Sequence, residues 1–207
     1  MYQLRLPIPT RVVVLISGVG SLLQALLDAA GPDYPAQVVA VGADRAGTGG
    51  GLRAADRGLA TFVTELARYP DRSGWDTALT EAVAAHRPDL VITAGFMKLL
   101  GPCFLDRFGG RIVNSHPALL PAFPGPRPVA DALAYGVRVT GTTLHLVDAG
   151  VDSGPILAQR AVEVLPGDTE PVLHERIKIV ERQLLVDVTA DLVRQGCTVT
   201  GRKVSIP

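Results

Sequence analysis

The sequence predicts one α/β domain, built on a mostly parallel sheet with helices on both faces. Short apolar runs without alternation, such as Val12 to Ile16, are typical of strands covered on both faces. In the first half of the chain these runs alternate with segments of helical spacing, a pattern that favours parallel strands with right-handed crossovers. With 207 residues, 47% of them hydrophobic, the chain can bury a substantial core.

The first strand is predicted over Arg11 to Ser17. The glycine-containing loop Gly18-Val19-Gly20 ends it, and Ser21 is placed to cap a helix whose leucines recur at helical spacing until Gly31-Pro32. Later elements are strands at Ala36 to Val41, Ala60 to Val63, Leu90 to Thr93 and Arg111 to Ser115, and helices at Leu52 to Arg57, Asp71 to His86 and Lys98 to Phe108. The fold class is therefore a Rossmann-like sheet.

The pattern changes after residue 116. Five prolines lie from Pro117 to Pro128, so regular structure is excluded between His116 and Val129 and a shaped loop is expected. In the C-terminal part, mixed strands are predicted at Val139 to Val147 and Ile156 to Val164, followed by a long helix at Glu170 to Gly196. The tail, Cys197 to Ile206, is β-rich and could form an edge hairpin.

Composition narrows the classes of partner. Twenty Lys and Arg balance twenty Asp and Glu, so no overall field favours nucleic acid or an anionic membrane. Cys103 and Cys197 lie far apart, which argues against a disulfide framework and a structural zinc site. The N-terminus has neither a signal-peptide pattern nor a membrane span. We expect a cytoplasmic, metal-free protein that acts on small molecules; a homodimer stays open.

The loop Gly18-Val19-Gly20-Ser21 predicts a phosphate site, because free amides and the helix dipole at a helix N-terminus bind anions. A tight turn without ligand is the plain alternative. A dinucleotide site is the sharper one, because Asp44 follows the second strand about where a ribose-binding acid would lie. Where that fingerprint has its third glycine, this chain has Leu23. The loop therefore favours a phosphate monoester over a pyrophosphate.

The strongest local signal is the segment from Asn114 to Pro121, at the carboxyl end of a predicted parallel strand, where open α/β sheets bind ligands. Asn114 and His116 are two residues apart, so their side chains project to the same side. An amide that donates to an oxyanion and an imidazole that moves a proton suit acyl transfer through a tetrahedral intermediate. Alone, His116 would more often be a structural histidine.

A second polar segment follows the strand that carries Thr143 and His145 on one face. Asp152 is placed to contact His116 and keep it protonated, because a nearby carboxylate favours imidazolium. Asp148 is expected only to cap a turn. The remaining histidines, His86 and His174, are expected at the surface.

Four motifs occur in order, at Ile16 to Ser21, Ala94 to Leu100, Asn114 to Pro121 and His145 to Pro155. With them the chain, from about residue 11 to 195, resembles the folate-dependent phosphoribosylglycinamide formyltransferases. The resemblance implies one formyltransferase domain over 1–207, with a phosphate- and nucleotide-binding half at 1–110 and a catalytic and folate-binding half at 111–207. It implies transfer of a formyl group from 10-formyltetrahydrofolate to the amine of 5′-phosphoribosylglycinamide in purine synthesis, without a metal.

The resemblance also implies a set of site residues. Asn114, His116 and Asp152 would be the catalytic trio. The nucleotide substrate would be bound by Gly20, Ser21, Leu22 and Glu181, and the folate by Arg72, Met97, Lys98, Leu99, Leu100 and Asn114. Without the family, Glu181 would be an exposed helix charge.

Two departures from the family concern loops. Relatives often have Asn where Leu22 stands, but there the backbone amide binds the phosphate. Between Pro124 and Pro128 relatives usually carry a His after the glycine; here three prolines restrict the loop, and Arg127 adds a charge near the phosphate.

Three rival functions share these features. A formyltetrahydrofolate hydrolase would be expected to carry an additional N-terminal domain, and a methionyl-tRNA formyltransferase a basic C-terminal domain. A nucleotide-binding module on the same scaffold would not need Asn114, His116 and Asp152 together.

Overall fold

The computed structural model describes residues 1–207 and contains ten strands and six helices. The strands are β1 (Tyr2–Leu4), β2 (Thr10–Ile16), β3 (Ala36–Ala43), β4 (Ala60–Val63), β5 (Leu90–Thr93), β6 (Ile112–His116), β7 (Val139–Leu146), β8 (Ile156–Glu163), β9 (Cys197–Thr200) and β10 (Lys203–Ser205). The helices are α1 (Ser21–Ala29), α2 (Gly49–Asp56), α3 (Arg72–Ala84), α4 (Pro102–Phe108), α5 (Pro128–Tyr135) and α6 (Glu170–Gln195).

All ten strands belong to one sheet, in the order β1-β9-β10-β8-β7-β6-β5-β2-β3-β4. The five strands from β6 to β4 are parallel, whereas β7 pairs antiparallel with both β6 and β8. From β2 the chain builds outward through β3 and β4 and then returns to the other side of β2 with β5. This reversal between β2 and β5 is a topological switch point, where such sheets bind ligands at the carboxyl ends of their strands.

Strand β2 shows why its residues form a central strand. Val12, Val14 and Ile16 pack into one apolar cluster with leucines of α1 and α6, and Val13 and Leu15 pack into another with aromatic residues of α3 and α4. Both faces are therefore buried, as the unbroken apolar run predicted. The helices on both faces and the long C-terminal helix are confirmed.

Several element boundaries differ from the prediction. Ser21 does not cap α1: the cap residue is Gly20, in the left-handed region with φ of 76°, and no side chain caps the helix. Helix α2 begins at Gly49, earlier than predicted, because the side chain of Thr48 accepts a hydrogen bond from Gly51 and offsets the low helix propensity of three glycines.

The helix predicted from Lys98 begins only at Pro102, because long-range hydrogen bonds fix the backbone of the preceding residues in a non-helical form. Helix α5, which was not predicted, begins at the end of the region from which regular structure had been excluded. Its first residue is Pro128, and proline at the first helical position is favourable because its missing N–H has no intrahelical acceptor.

The C-terminal tail forms the expected hairpin, β9 with β10. Strand β1, which was not predicted, pairs antiparallel with β9 and becomes the edge of the sheet. None of the six helices combines the length and apolar character that a membrane crossing requires.

Candidate active site

A cavity of about 100 Å³ lies at the carboxyl ends of β5 and β6. Its polar lining includes Thr93 from β5, Asn114 from β6, His145 from β7 and Asp152 from the loop that follows β7. The structure thus brings polar side chains of three neighbouring strands and one loop to a single space beside the switch point.

Asn114 is oriented by contacts on both ends of its amide. Its Oδ1 accepts a hydrogen bond from Thr93 Oγ1 at 2.7 Å, and its Nδ2 lies 3.0 Å from His145 Nε2 and donates to Asp152 Oδ1 at 3.4 Å. His145 Nδ1 lies 3.1 Å from the carbonyl of Leu146, so the tautomer with its proton on Nδ1 satisfies both contacts. The N–H₂ group of Asn114 therefore faces His145 and Asp152, which line the cavity with it.

Asp152 connects the two histidines. Its Oδ2 lies 3.4 Å from His116 Nδ1, and its Oδ1 lies 3.6 Å from His145 Nε2. Burial, the largest influence, raises the pKa of this carboxyl, but the backbone N–H of Gly125 and the two neighbouring histidines together lower it by more, so the net shift is downward. Asp152 is therefore a carboxylate at neutral pH.

His116 is buried, and its Nε2 lies 2.8 Å from the carbonyl of Phe123, which requires the proton on that nitrogen. Burial is the largest influence on its pKa and lowers it below the ordinary value; the Phe123 contact and the charge of Asp152 raise it by less. The expectation that Asp152 keeps His116 protonated is therefore wrong, because desolvation outweighs the carboxylate. Neutral His116 presents Nδ1 as a proton acceptor beside Asp152.

The glycine loop leads into the N-terminus of α1 in a conformation that requires glycine. Gly20 has a positive φ, and a Cβ on it would lie 2.6 Å from Gly50 Cα, so only glycine fits this turn. The amides of the first helical residues have no intrahelical acceptor. The side chain of Leu22 is buried in the core, which leaves only its backbone N–H for a ligand.

Four of the six residues assigned to folate by resemblance, Asn114 among them, line the same cavity. Lys98, Leu99 and Leu100 line it, and Arg72 from α3 donates to the carbonyl of Leu99. Met97 is exposed, and its backbone N–H donates to Ser17 Oγ at 2.8 Å.

Asp44, the acid of the dinucleotide alternative, is occupied. Its side chain is 1% exposed and pairs with Lys98 Nζ at 3.0 Å and Arg45 Nε at 3.1 Å. A carboxylate held by two cations is not free to accept hydrogen bonds from ribose hydroxyls. This contact disfavours a dinucleotide site.

Glu181 is not an exposed helix charge, and that expectation is wrong. It is 4% exposed, and its Oε1 accepts a hydrogen bond from Ser115 Oγ at 2.5 Å. Burial raises its pKa, against the lowering effects of Ser115 and nearby basic side chains. Because Ser115 alternates with Asn114 and His116 along β6, Glu181 lies on the other face of this strand and contacts none of the trio.

His145 and Thr93 were not predicted as site residues. The sequence showed only that His145 shares one face of a strand with Thr143. Its partner in the site depends on the register of β7 with β6, which places Asn114 opposite His145. Asp148 caps a turn as expected, accepting from Gly150 N at 3.0 Å and from the Ser153 hydroxyl at 2.6 Å.

The other two histidines are half-buried rather than fully at the surface, and His86 stacks on Phe62. No three or more His, Cys, Asp and Glu side chains are grouped in a way that could hold a metal ion.

The geometry agrees with comparisons to known proteins. The model of the formyl transferase family matches residues 10–189. A phosphoribosylglycinamide formyltransferase of Mycobacterium tuberculosis is 62% identical over 194 residues, which cover 94% of this chain and 90% of that protein. A human trifunctional purine biosynthetic protein, adenosine-3, is 39% identical over 92% of this chain and 19% of its own length.

Among solved structures, glycinamide ribonucleotide transformylase 1 from Symbiobacterium toebii superposes with a TM-score of 0.92 at 42% identity, covering 95% of this chain and 93% of that one. Fold, site geometry and sequence identity point the same way: the chain belongs to the formyl transferase family.

Proposed function

We propose that this protein transfers a formyl group from 10-formyltetrahydrofolate to the amine of 5′-phosphoribosylglycinamide, giving 5′-phosphoribosyl-N-formylglycinamide and tetrahydrofolate in purine biosynthesis. The observation that carries the proposal is the placement of Asn114 and Asp152 at one cavity of a formyl transferase fold, with the buried His116 lying 3.4 Å from Asp152. The trio supplies an oriented amide donor, a neutral imidazole and a carboxylate. The Asp152 oxygens lie 3.4 Å from Asn114 Nδ2 and 3.4 Å from His116 Nδ1.

The chemistry follows from these groups. The amine nitrogen of the acceptor attacks the formyl carbon, and the carbonyl oxygen becomes an oxyanion that Asn114 Nδ2 stabilises by donating a hydrogen bond. One such donor is typically worth about 10²- to 10³-fold in turnover. His116 Nδ1 accepts the proton released by the amine, next to the charge of Asp152. Collapse of the intermediate breaks the bond to N10 of the folate, which takes the proton held by His116 as tetrahydrofolate leaves.

The substrates are assigned to opposite sides of the trio. We place the phosphate of the nucleotide on the backbone amides of Gly20, Ser21 and Leu22, where the helix dipole favours an anion. We also assign Glu181 to the nucleotide substrate, to hold its ammonium end; here its carboxylate accepts a hydrogen bond from Ser115.

We place the folate along the second edge of the cavity. The residues proposed for it are Arg72, Met97, Lys98, Leu99, Leu100 and Asn114. On this assignment residues 1–110 form the phosphate- and nucleotide-binding half of the domain, and residues 111–207 carry the catalytic residues and share the folate site. We propose that the enzyme is cytoplasmic and acts on small molecules, without a nucleic-acid or membrane partner.

Ligand-dependent melting tests the two-substrate site against a dinucleotide site. At about 100 times its dissociation constant a ligand adds about 2.7 kcal/mol, which for a chain of this size raises Tm by roughly 5–10 °C. We expect such shifts with 5′-phosphoribosylglycinamide and with tetrahydrofolate, and none with NAD. A shift with NAD alone would support a nucleotide-binding module instead.

A further inference from the structure

The segment from Met97 to Gly101 connects β5 to α4 without regular structure, and residues 98–100 line the cavity. Met97 and Leu99 are 62% and 58% exposed, so packing of these side chains contributes little to its position. Lys98 pairs with Asp44 and Leu100 packs against the core, and hydrogen bonds to the backbone fix the two ends of the segment, at Met97 and Gly101.

One end of the segment meets a buried carboxylate. Asp76 of α3 is 3% exposed, and its Oδ1 accepts a hydrogen bond from Gly101 N at 2.8 Å. Its Oδ2 accepts from Cys103 N at 2.9 Å and from Phe104 N at 3.4 Å. No cation pairs with this carboxylate, so its partners are the backbone amides at the start of α4. Both oxygens are therefore occupied by N–H donors.

The fit at this end leaves no spare space. A Cβ on Gly101 would lie 2.4 Å from Asp76 Oδ2, so a side chain there would push the segment and the carboxylate apart. Arg72 lies one helical turn before Asp76 and donates to the carbonyl of Leu99. One face of α3 thus contacts the segment at two successive points.

We infer that Asp76 is a positioning residue for the formyl donor: it fixes the end of the 97–101 segment and thereby the cavity wall that the donor contacts. The inference rests on the proposed function, which assigns that wall to the folate. Asp76 does not reach the cavity and acts only through the backbone of the segment. The competing role is that of a plain helix cap for α4, which would affect stability but not one substrate in particular.

Asp76→Asn separates these roles. Because both carboxylate oxygens accept N–H groups, the amide must direct its own N–H₂ at one donor and lose that contact. We expect KM for 10-formyltetrahydrofolate to rise about tenfold, equivalent to about 1.4 kcal/mol, while KM for the nucleotide stays within about twofold. Hydrogen exchange at Gly101 and Cys103 should become faster.

Two further variants complete the experiment. Asp168→Asn is the control: the side chain of this aspartate is 4% exposed and accepts a backbone N–H from Leu165 at 2.8 Å, but it pairs with Arg176 and lies between β8 and α6. It should change stability without a folate-selective effect. Gly101→Ala breaks the Asp76 contact from the other side, and its effect on folate KM should be less than additive with that of Asp76→Asn.

Equal changes in both KM values, or unchanged exchange at Gly101 in Asp76→Asn, would overturn the positioning role and leave a helix cap. If Asp76→Asn does not fold, Gly101→Ala carries the same test. A wild-type protein that neither binds tetrahydrofolate nor transfers formyl would contradict the proposed function instead, and the exchange measurement would still decide whether Asp76 fixes the segment.

Discussion

Asp152→Asn is expected to lower turnover by about 100-fold or more while the fold survives. The substitution keeps the size of the side chain and removes its charge, and the group lies in a loop, half-buried, rather than in the core. Without the carboxylate, a proton gained by His116 loses its charged partner at 3.4 Å. General acid–base help is typically worth about 10²- to 10⁴-fold, which sets the expected loss.

The pH profile should change in a defined direction. His116 accepts a proton only when neutral, so the rate falls as pH drops through its pKa, which burial places below the ordinary value. The charge of Asp152 raises that pKa, and removing the charge lowers it further. The acidic limb of the profile should therefore move to lower pH in Asp152→Asn, on top of the loss of rate.

Asp148→Asn is the matched control, because Asp148 lies in the same loop and Asn can cap the same turn. Initial rates with both substrates, together with melting curves, make the comparison. An Asp152→Asn protein that melts like the wild type and keeps near-full turnover would remove Asp152 from the mechanism.

Gly20→Asp is expected to raise KM for the nucleotide about 100-fold or more and KM for the folate much less. The new Cβ would meet Gly50 Cα at 2.6 Å in a backbone conformation with positive φ, and the carboxylate would repel a phosphate at the amides of α1. Steady-state kinetics with each substrate varied in turn measure the two effects.

Gly20→Ala separates strain from charge, since it brings the same Cβ without the carboxylate. The nucleotide KM should rise less in Gly20→Ala than in Gly20→Asp. If both variants weaken the two substrates equally, the loop acts on the fold as a whole and is not the phosphate site.

The sequence predicted best what depends on local pattern. The unbroken apolar run of β2, and its place between helices on both faces, follow from residue type alone, as does the same-side placement of Asn114 and His116 on β6. The contact of Asp152 with His116 was predicted as well and is confirmed as a distance of 3.4 Å. The protonated state inferred for His116 from that contact was wrong, because a motif does not show how deeply its histidine is buried.

The missed features depend on long-range contacts. His145 joins the site through the register of β7 with β6, and Glu181 is buried because Ser115 faces α6. The backbone after Met97 avoids the predicted helix because Ser17 and Asp76, distant in sequence, accept its N–H groups. Helix α5 was not predicted because the prolines before it disfavour regular structure, although a proline such as Pro128 is favourable at the first position of a helix.

The most direct test of the central claim is the fate of the formyl group when the acceptor is present and when it is omitted. The purified protein should convert 10-formyltetrahydrofolate to tetrahydrofolate only with 5′-phosphoribosylglycinamide, and a labelled formyl carbon should appear on the nitrogen of that acceptor in equal amount. Equal consumption without the acceptor, with the label released as formate, would contradict transfer and identify a hydrolase.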